Sequence, residues 1–231
     1  MDAGTSDPAN RTNVGVSSME FRTILLAAAA IAFAAPAFAA DAPAPAKPAP
    51  AKTTNSFSFE FGAEQSVSNN STADTYIKPG ISHTFSSGVI WGGSFQQVWK
   101  TTTSPTPGQQ QELLETTLGY NFKLDPTFTI TSSAGVGYLW DSNPGNAPAQ
   151  NYGYYVLNAG LNAKLAPQLT WTVVSTRWRD AFGGGWQTPK LSTTLTYAWT
   201  PAASLFASYG YSWKNGNADK YSFAGGLKIA F

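Results

Sequence analysis

Catalysis or metal binding would need a histidine, a thiolate or clustered acids, and the 231-residue chain offers few of these. It has one histidine, His83, and no cysteine. A general base needs a nucleophile and an orienting partner within reach, and no such set can be assembled around His83, which shares strand parity with Ile81 and Phe85. Thiolate nucleophiles, disulfides and cysteine metal sites are excluded together. The run Gly183-Gly184-Gly185 has no strand–loop–helix setting and no following Lys-Ser/Thr, so it is loop backbone and not a phosphate cradle. No catalytic residue, cofactor or metal follows from the sequence.

What remains is scattered charge. Glu60, Glu64 and Glu115 with Lys78, Lys164, Lys190 and Lys228 have the types needed to pair across an interior or to line a polar passage. Arg177-Trp178-Arg179-Asp180 places two guanidinium groups two residues apart, suited to bidentate capture of phosphate. The whole chain has a net charge of +1, with 12% charged and 14% aromatic residues. A near-neutral chain with single, dispersed Lys and Arg has no electrostatic case for nucleic acid. Few charges and many rings suit an outer surface that faces lipid, where charge is costly.

The elements that must position these groups are strands. From Lys220 to Phe231, Tyr221, Phe223, Leu227, Ile229 and Phe231 fall on one parity, and Lys220, Ser222, Ala224, Gly226, Lys228 and Ala230 on the other. Side chains of a strand alternate between faces, so this is one strand with an apolar face and a small, polar one. Similar segments of roughly ten to twelve residues fill the chain from Asn55 onward, each ending at a turn of Gly, Pro, Asn, Asp or Ser. About ten strands are predicted, with eight or twelve as alternatives. An even count puts both ends on one side, shared with the tight turns at Ser86–Gly88, Lys123–Pro126, Ala166–Gln168 and Pro201–Ala203.

The polar face is mostly Ser, Thr, Gly, Asn and Gln, as a wet barrel interior requires; a solvated outer sheet would carry more charge. On the apolar face Trp91, Trp99, Phe128, Tyr138, Trp140, Trp171, Trp199 and Trp213 lie toward strand ends, as in the aromatic girdles of membrane barrels. The interior parity takes the seven acids and lysines named above. Parity carried from Leu169 and Trp171 points Arg177 and Arg179 outward, toward lipopolysaccharide phosphates; a β-bulge would instead turn them to the rim or the lumen.

The amino-terminal part is organised differently. Residues 1–18 are polar and patternless, an extension expected to be untranslated or disordered. Residues 19–39 carry Arg22, a short apolar run and the small-x-small pattern Ala37-Phe38-Ala39, the marks of a secretory signal peptide. Residues 40–54 alternate Pro and Ala and form an extended periplasmic linker. The body is 55–231.

The export signal, the alternation and a strand closing on Phe231 resemble the small outer-membrane β-barrel proteins of Gram-negative bacteria, the opacity-protein and small-porin group. That resemblance implies an all-β fold, a closed antiparallel up-and-down transmembrane barrel. It implies outer-membrane lipids, lipopolysaccharide and the barrel-assembly machinery as partners, the last through Tyr221, Phe223, Gly226, Ile229 and Phe231. The expected role is non-enzymatic: a narrow passive channel or a structural surface protein. An adhesion module working through its outer loops and a soluble periplasmic β-protein are the alternatives.

Overall fold

A computed structural model of the protein describes residues 53–67, 73–101, 110–142 and 151–231. The expected signal peptide, the extension before it and nearly all of the linker lie outside the described residues. Ten strands run in sequence: β1 (Thr54–Ser66), β2 (Ala73–Thr84), β3 (Val89–Trp99), β4 (Gln110–Lys123), β5 (Phe128–Ser142), β6 (Tyr152–Ala166), β7 (Leu169–Ala181), β8 (Lys190–Ala198), β9 (Ala203–Lys214) and β10 (Asn217–Ala230). Each pairs antiparallel with its sequence neighbours, and β1 also pairs with β10, so the sheet closes into a barrel with no edge strand. The seam is completed by the Asn55 amide donating to the Phe231 carbonyl at 3.1 Å and the reverse bond at 2.9 Å.

The connections β2–β3, β4–β5, β6–β7 and β8–β9 are short and share one end of the barrel with Asn55 and Phe231, as the sequence predicts. This is the turn side; the opposite end is the loop side. One loop-side connection is itself minimal. β9 and β10 are joined through Asn215 and Gly216, both with positive φ (51° and 84°), the pairing that matches strand twist in a two-residue hairpin.

Register assigns every side chain to a face. Phe57, Phe61, Ile81, Leu114, Leu118, Val136, Leu195, Leu205, Phe223 and Leu227 point outward and are exposed. Phe61 and Leu118, at mid-strand, are 59% and 58% exposed. Of the outward strand positions only Glu112 and Asp180 are charged, both at loop-side ends. Ser56, Ser58, Ser82, Ser94, Thr117, Ser133 and Asn158 point inward.

Two features depart from the sequence reading. First, Tyr76, Val98, Leu113, Leu139, Tyr154 and Val156 form a buried apolar cluster inside the loop-side half, so the interior is not uniformly small and polar. Glycines make room for its rings: a Cβ on Gly137 would collide with the Tyr154 ring, and one on Gly62 with the Tyr76 ring.

Second, β7 carries a bulge. β6 pairs Leu161 with Val174 and Asn162 with Thr172, leaving Val173 as the extra residue. On the other side Thr172 pairs with Thr194 and Ser175 with Ser192. Thr193 holds the bulge together: its hydroxyl accepts from Trp171 Nε1 at 2.8 Å and donates to the Thr172 carbonyl at 2.9 Å. One inserted residue reverses the facing of everything beyond it. Trp171 faces out, and Arg177 and Arg179 face in.

Candidate functional site in the barrel lumen

Among the described residues the interior has two polar chambers, each of about 290 Å³. The turn-side chamber is lined by serines and glycines with Glu60, Lys78, Glu115, Arg177 and Lys228. The loop-side chamber is lined by Glu64, Asp74, Lys100, Arg177, Arg179 and Lys220, among others. Arg177 lines both. A layer of interior side chains therefore forms a waist between them.

That layer is built around Glu115. The carboxylate, from the middle of β4, is only 8% exposed and receives Arg179 Nε from β7 at 2.5 Å. The Tyr154 hydroxyl of β6 donates to the same oxygen, Oε2, at 3.1 Å. The Arg179 guanidinium also lies over the Tyr154 ring, 5.5 Å from its centroid, and is 4% exposed. Burying both charges is costly, and their attraction offsets the cost only with such supplementary bonds. Lys190 faces Arg177 across the β7–β8 ladder and lies over Gly210. Tyr76 donates to Glu60 Oε1 at 2.7 Å.

Above the waist, Glu64 of β1 and Asp74 of β2 are directly opposite one another. Like charges so placed repel. Lys220 of β10 resolves this, with Nζ 2.7 Å from Asp74 and 3.3 Å from Glu64. Lys100 and Asp141 form a further pair at 3.6 Å.

Of the seven predicted lumen charges, Glu60, Glu64, Lys78, Glu115, Lys190 and Lys228 face the interior. Lys164 keeps the interior parity, opposite Thr170, and is exposed at the turn-side end of β6, just before a second register shift. The outward placement of Arg177 and Arg179 toward lipopolysaccharide is overturned by the Val173 bulge, which makes them interior groups. Asp74, Lys220, Tyr76 and Tyr154 were not singled out from sequence. The opposed acids Glu64 and Asp74 were the one available sign, since such a pair calls for a cation between them.

The eight aromatics named as a girdle divide into two ends. Trp91, Phe128, Trp171 and Trp199 lie toward the turn side, and Trp99, Tyr138, Trp140 and Trp213 toward the loop side. Trp91 and Trp171 each find a hydroxyl for the indole N–H, Thr116 at 3.0 Å and Thr193 at 2.8 Å. His83 is on the outer face, 2.7 Å from Asn55 Oδ1 and edge-on to Phe85. In β10, Tyr221, Phe223 and Ile229 face out, Gly226 lies inward under the Phe206 ring, and Phe231 is 74% exposed.

The fold and the lumen define a closed, ten-strand β-barrel that is apolar outside and ionic inside. No family model matches the sequence, and no curated protein matches it. Among solved structures it is similar to an outer membrane channel from Pseudomonas putida F1, with 10% identity, a TM-score of 0.49, and coverage of 80% of this chain and 97% of that one. It is also similar to Neisserial surface protein A, with 11% identity, a TM-score of 0.41, and coverage of 78% and 97%. The N-terminal β-barrel domain of Pseudomonas aeruginosa OprF gives 13% identity, a TM-score of 0.40, and coverage of 78% and 100%. These values bring no residue role from those proteins onto this chain.

Proposed function

We propose that the protein is an outer-membrane barrel offering small ions and solutes a narrow passive route. Placement in lipid is supported by the outer face, which presents aliphatic and aromatic side chains and keeps its two charges at the loop-side ends. Strands of nine to fifteen residues are long enough to cross a bilayer at the usual tilt. A closed ladder leaves no backbone group unpaired in hydrocarbon. Lipids, including lipopolysaccharide in the outer leaflet, are the partners of that surface, and the exposed aromatic end of β10 suits recognition by the barrel-assembly machinery.

The observation that carries the transport reading is the position of Arg177. It borders both chambers, so a layer of side chains, which rearranges far more readily than backbone, separates two polar spaces. The role is non-enzymatic on this reading, since His83 stands outside with Asn55 and Phe85 for neighbours.

Recording purified protein in planar bilayers tests it. Small discrete conductance steps are expected, enlarged in Arg177→Ala. Silence from both proteins would remove the transport role and leave a structural or adhesive surface barrel.

A further inference from the structure

Among the described residues, three buried side-chain polar atoms have no hydrogen-bond partner: Arg177 Nε, Arg179 Nη2 and Thr188 Oγ1. All three residues line the same loop-side chamber. Buried donors without acceptors are rare and costly, and charged ones most of all. Three in one cavity describe a donor set arranged around something that accepts.

Most of the charged groups around them are already engaged. Lys220 is engaged by Glu64 and Asp74, Lys100 by Asp141, and Arg179 by Glu115 through Nε alone. Among the described residues lining the chamber, this leaves Arg177 and Lys214 outside any ion pair against the single acid Asp219. Because Lys220 serves two acids, these groups sum to neutrality, and what the chamber lacks is an acceptor at the Arg177 and Arg179 nitrogens rather than bulk negative charge. Val98, Leu113, Leu139 and Trp186 give the same chamber an apolar wall. Trp186 is fixed there by ring contacts with Tyr152 and Tyr154, at 5.1 and 5.3 Å between centroids.

The loop that carries Thr188 is pinned in place. The Thr188 amide donates to the Arg179 carbonyl at 3.0 Å, the Gln187 amide to Asn215 Oδ1 at 2.8 Å, and Asn215 Nδ2 to the Gly185 carbonyl at 3.1 Å. The loop that brings Thr188 to the chamber lined by the two arginines is thus fixed before any ligand arrives, which is the condition for a selective site.

We propose that the loop-side chamber binds a small organic monocarboxylate with an apolar body. The carboxylate accepts from Arg177 Nε, Arg179 Nη2 and Thr188 Oγ1, and the body lies against Trp186, Leu113 and Leu139. A carboxylate has lone pairs enough for three donors. The chamber lies wholly on the loop side of the waist, so binding does not require that a solute cross.

Calorimetric titration of the folded, detergent-solubilised barrel tests this, with empty micelles as blank. Sodium benzoate is the probe, and benzyl alcohol and sodium acetate supply the body and the head alone. Saturable benzoate binding is expected, with both controls weaker by about tenfold or more. Arg177→Gln and Thr188→Val should each weaken benzoate by about tenfold while keeping the heat-modifiable gel migration of a folded barrel. Thr188→Ser, which restores the hydroxyl, should recover the wild-type affinity. No saturable heat, equal binding of benzyl alcohol, equal binding of acetate, or indifference to both variants would overturn the proposal. A silent bilayer recording with intact benzoate binding would count against the transport role alone.

Discussion

Tyr154 and Arg179, on neighbouring strands, converge on one carboxylate oxygen of Glu115, and the guanidinium also lies over the tyrosine ring. The arrangement ties β4, β6 and β7 together inside the barrel, where no other group would pair either charge so fully.

Removing one partner should therefore be far worse than removing both. Glu115→Gln leaves a buried guanidinium uncompensated and should cost about 3 kcal/mol of unfolding free energy. Tyr154→Phe loses a single hydrogen bond and should cost about 1–2 kcal/mol. The double change Glu115→Met with Arg179→Met should recover most of the loss of the first. Urea unfolding of the barrel in lipid vesicles, followed by tryptophan emission, provides all three values.

The tyrosine needs its glycine. A Cβ on Gly137 would enter the Tyr154 ring, so Gly137→Ala must displace it from the Glu115 oxygen. A stability loss of about 1–3 kcal/mol is expected, and it should shrink sharply when made together with Tyr154→Ala. Independent, additive losses in the same unfolding assay would contradict the close contact.

The facing of β7 can be read directly, because the chain has no cysteine of its own. A fluorophore on Thr176→Cys should be quenched by brominated lipid. One on Ser175→Cys should respond only to a water-soluble quencher. The reverse pattern would place the bulge elsewhere.

Thr193 keeps that bulge by receiving the Trp171 N–H and donating to the Thr172 carbonyl. Thr193→Val retains shape and loses both bonds, so a destabilisation of about 1–3 kcal/mol is expected. Thr193→Ser should restore most of it. Equal stability of the two variants would show that the hydroxyl is not what secures the extra residue.

Most of the barrel was legible in the chain. β10 shows why: Tyr221 through Phe231 alternate without interruption, and the structure keeps that parity to its last residue. For the two arginines the sequence left outward and bulge-turned inward placements both open, because the bulge at Val173–Val174 is made of two ordinary strand residues, with no glycine or proline to mark it. Lys220 was overlooked as the partner of Asp74 because the two stand 146 positions apart, and only closure of the barrel brings them together. Val98, Leu113, Leu139 and Val156 break the polar rule for the interior, and alternation alone cannot show that an interior is partly filled.

Val173 carries a consequence for how such proteins diversify. Loss of this one codon would turn the end of β7 inside out, delivering two guanidinium groups to the apolar outer face and stripping Glu115 of its counter-ion. The penalty for arginine on the lipid face runs from about 4 kcal/mol at mid-depth to almost nothing near the headgroups. A lineage able to tolerate that penalty could exchange an ionic interior for a cationic outer rim in a single deletion, with every other strand unaltered.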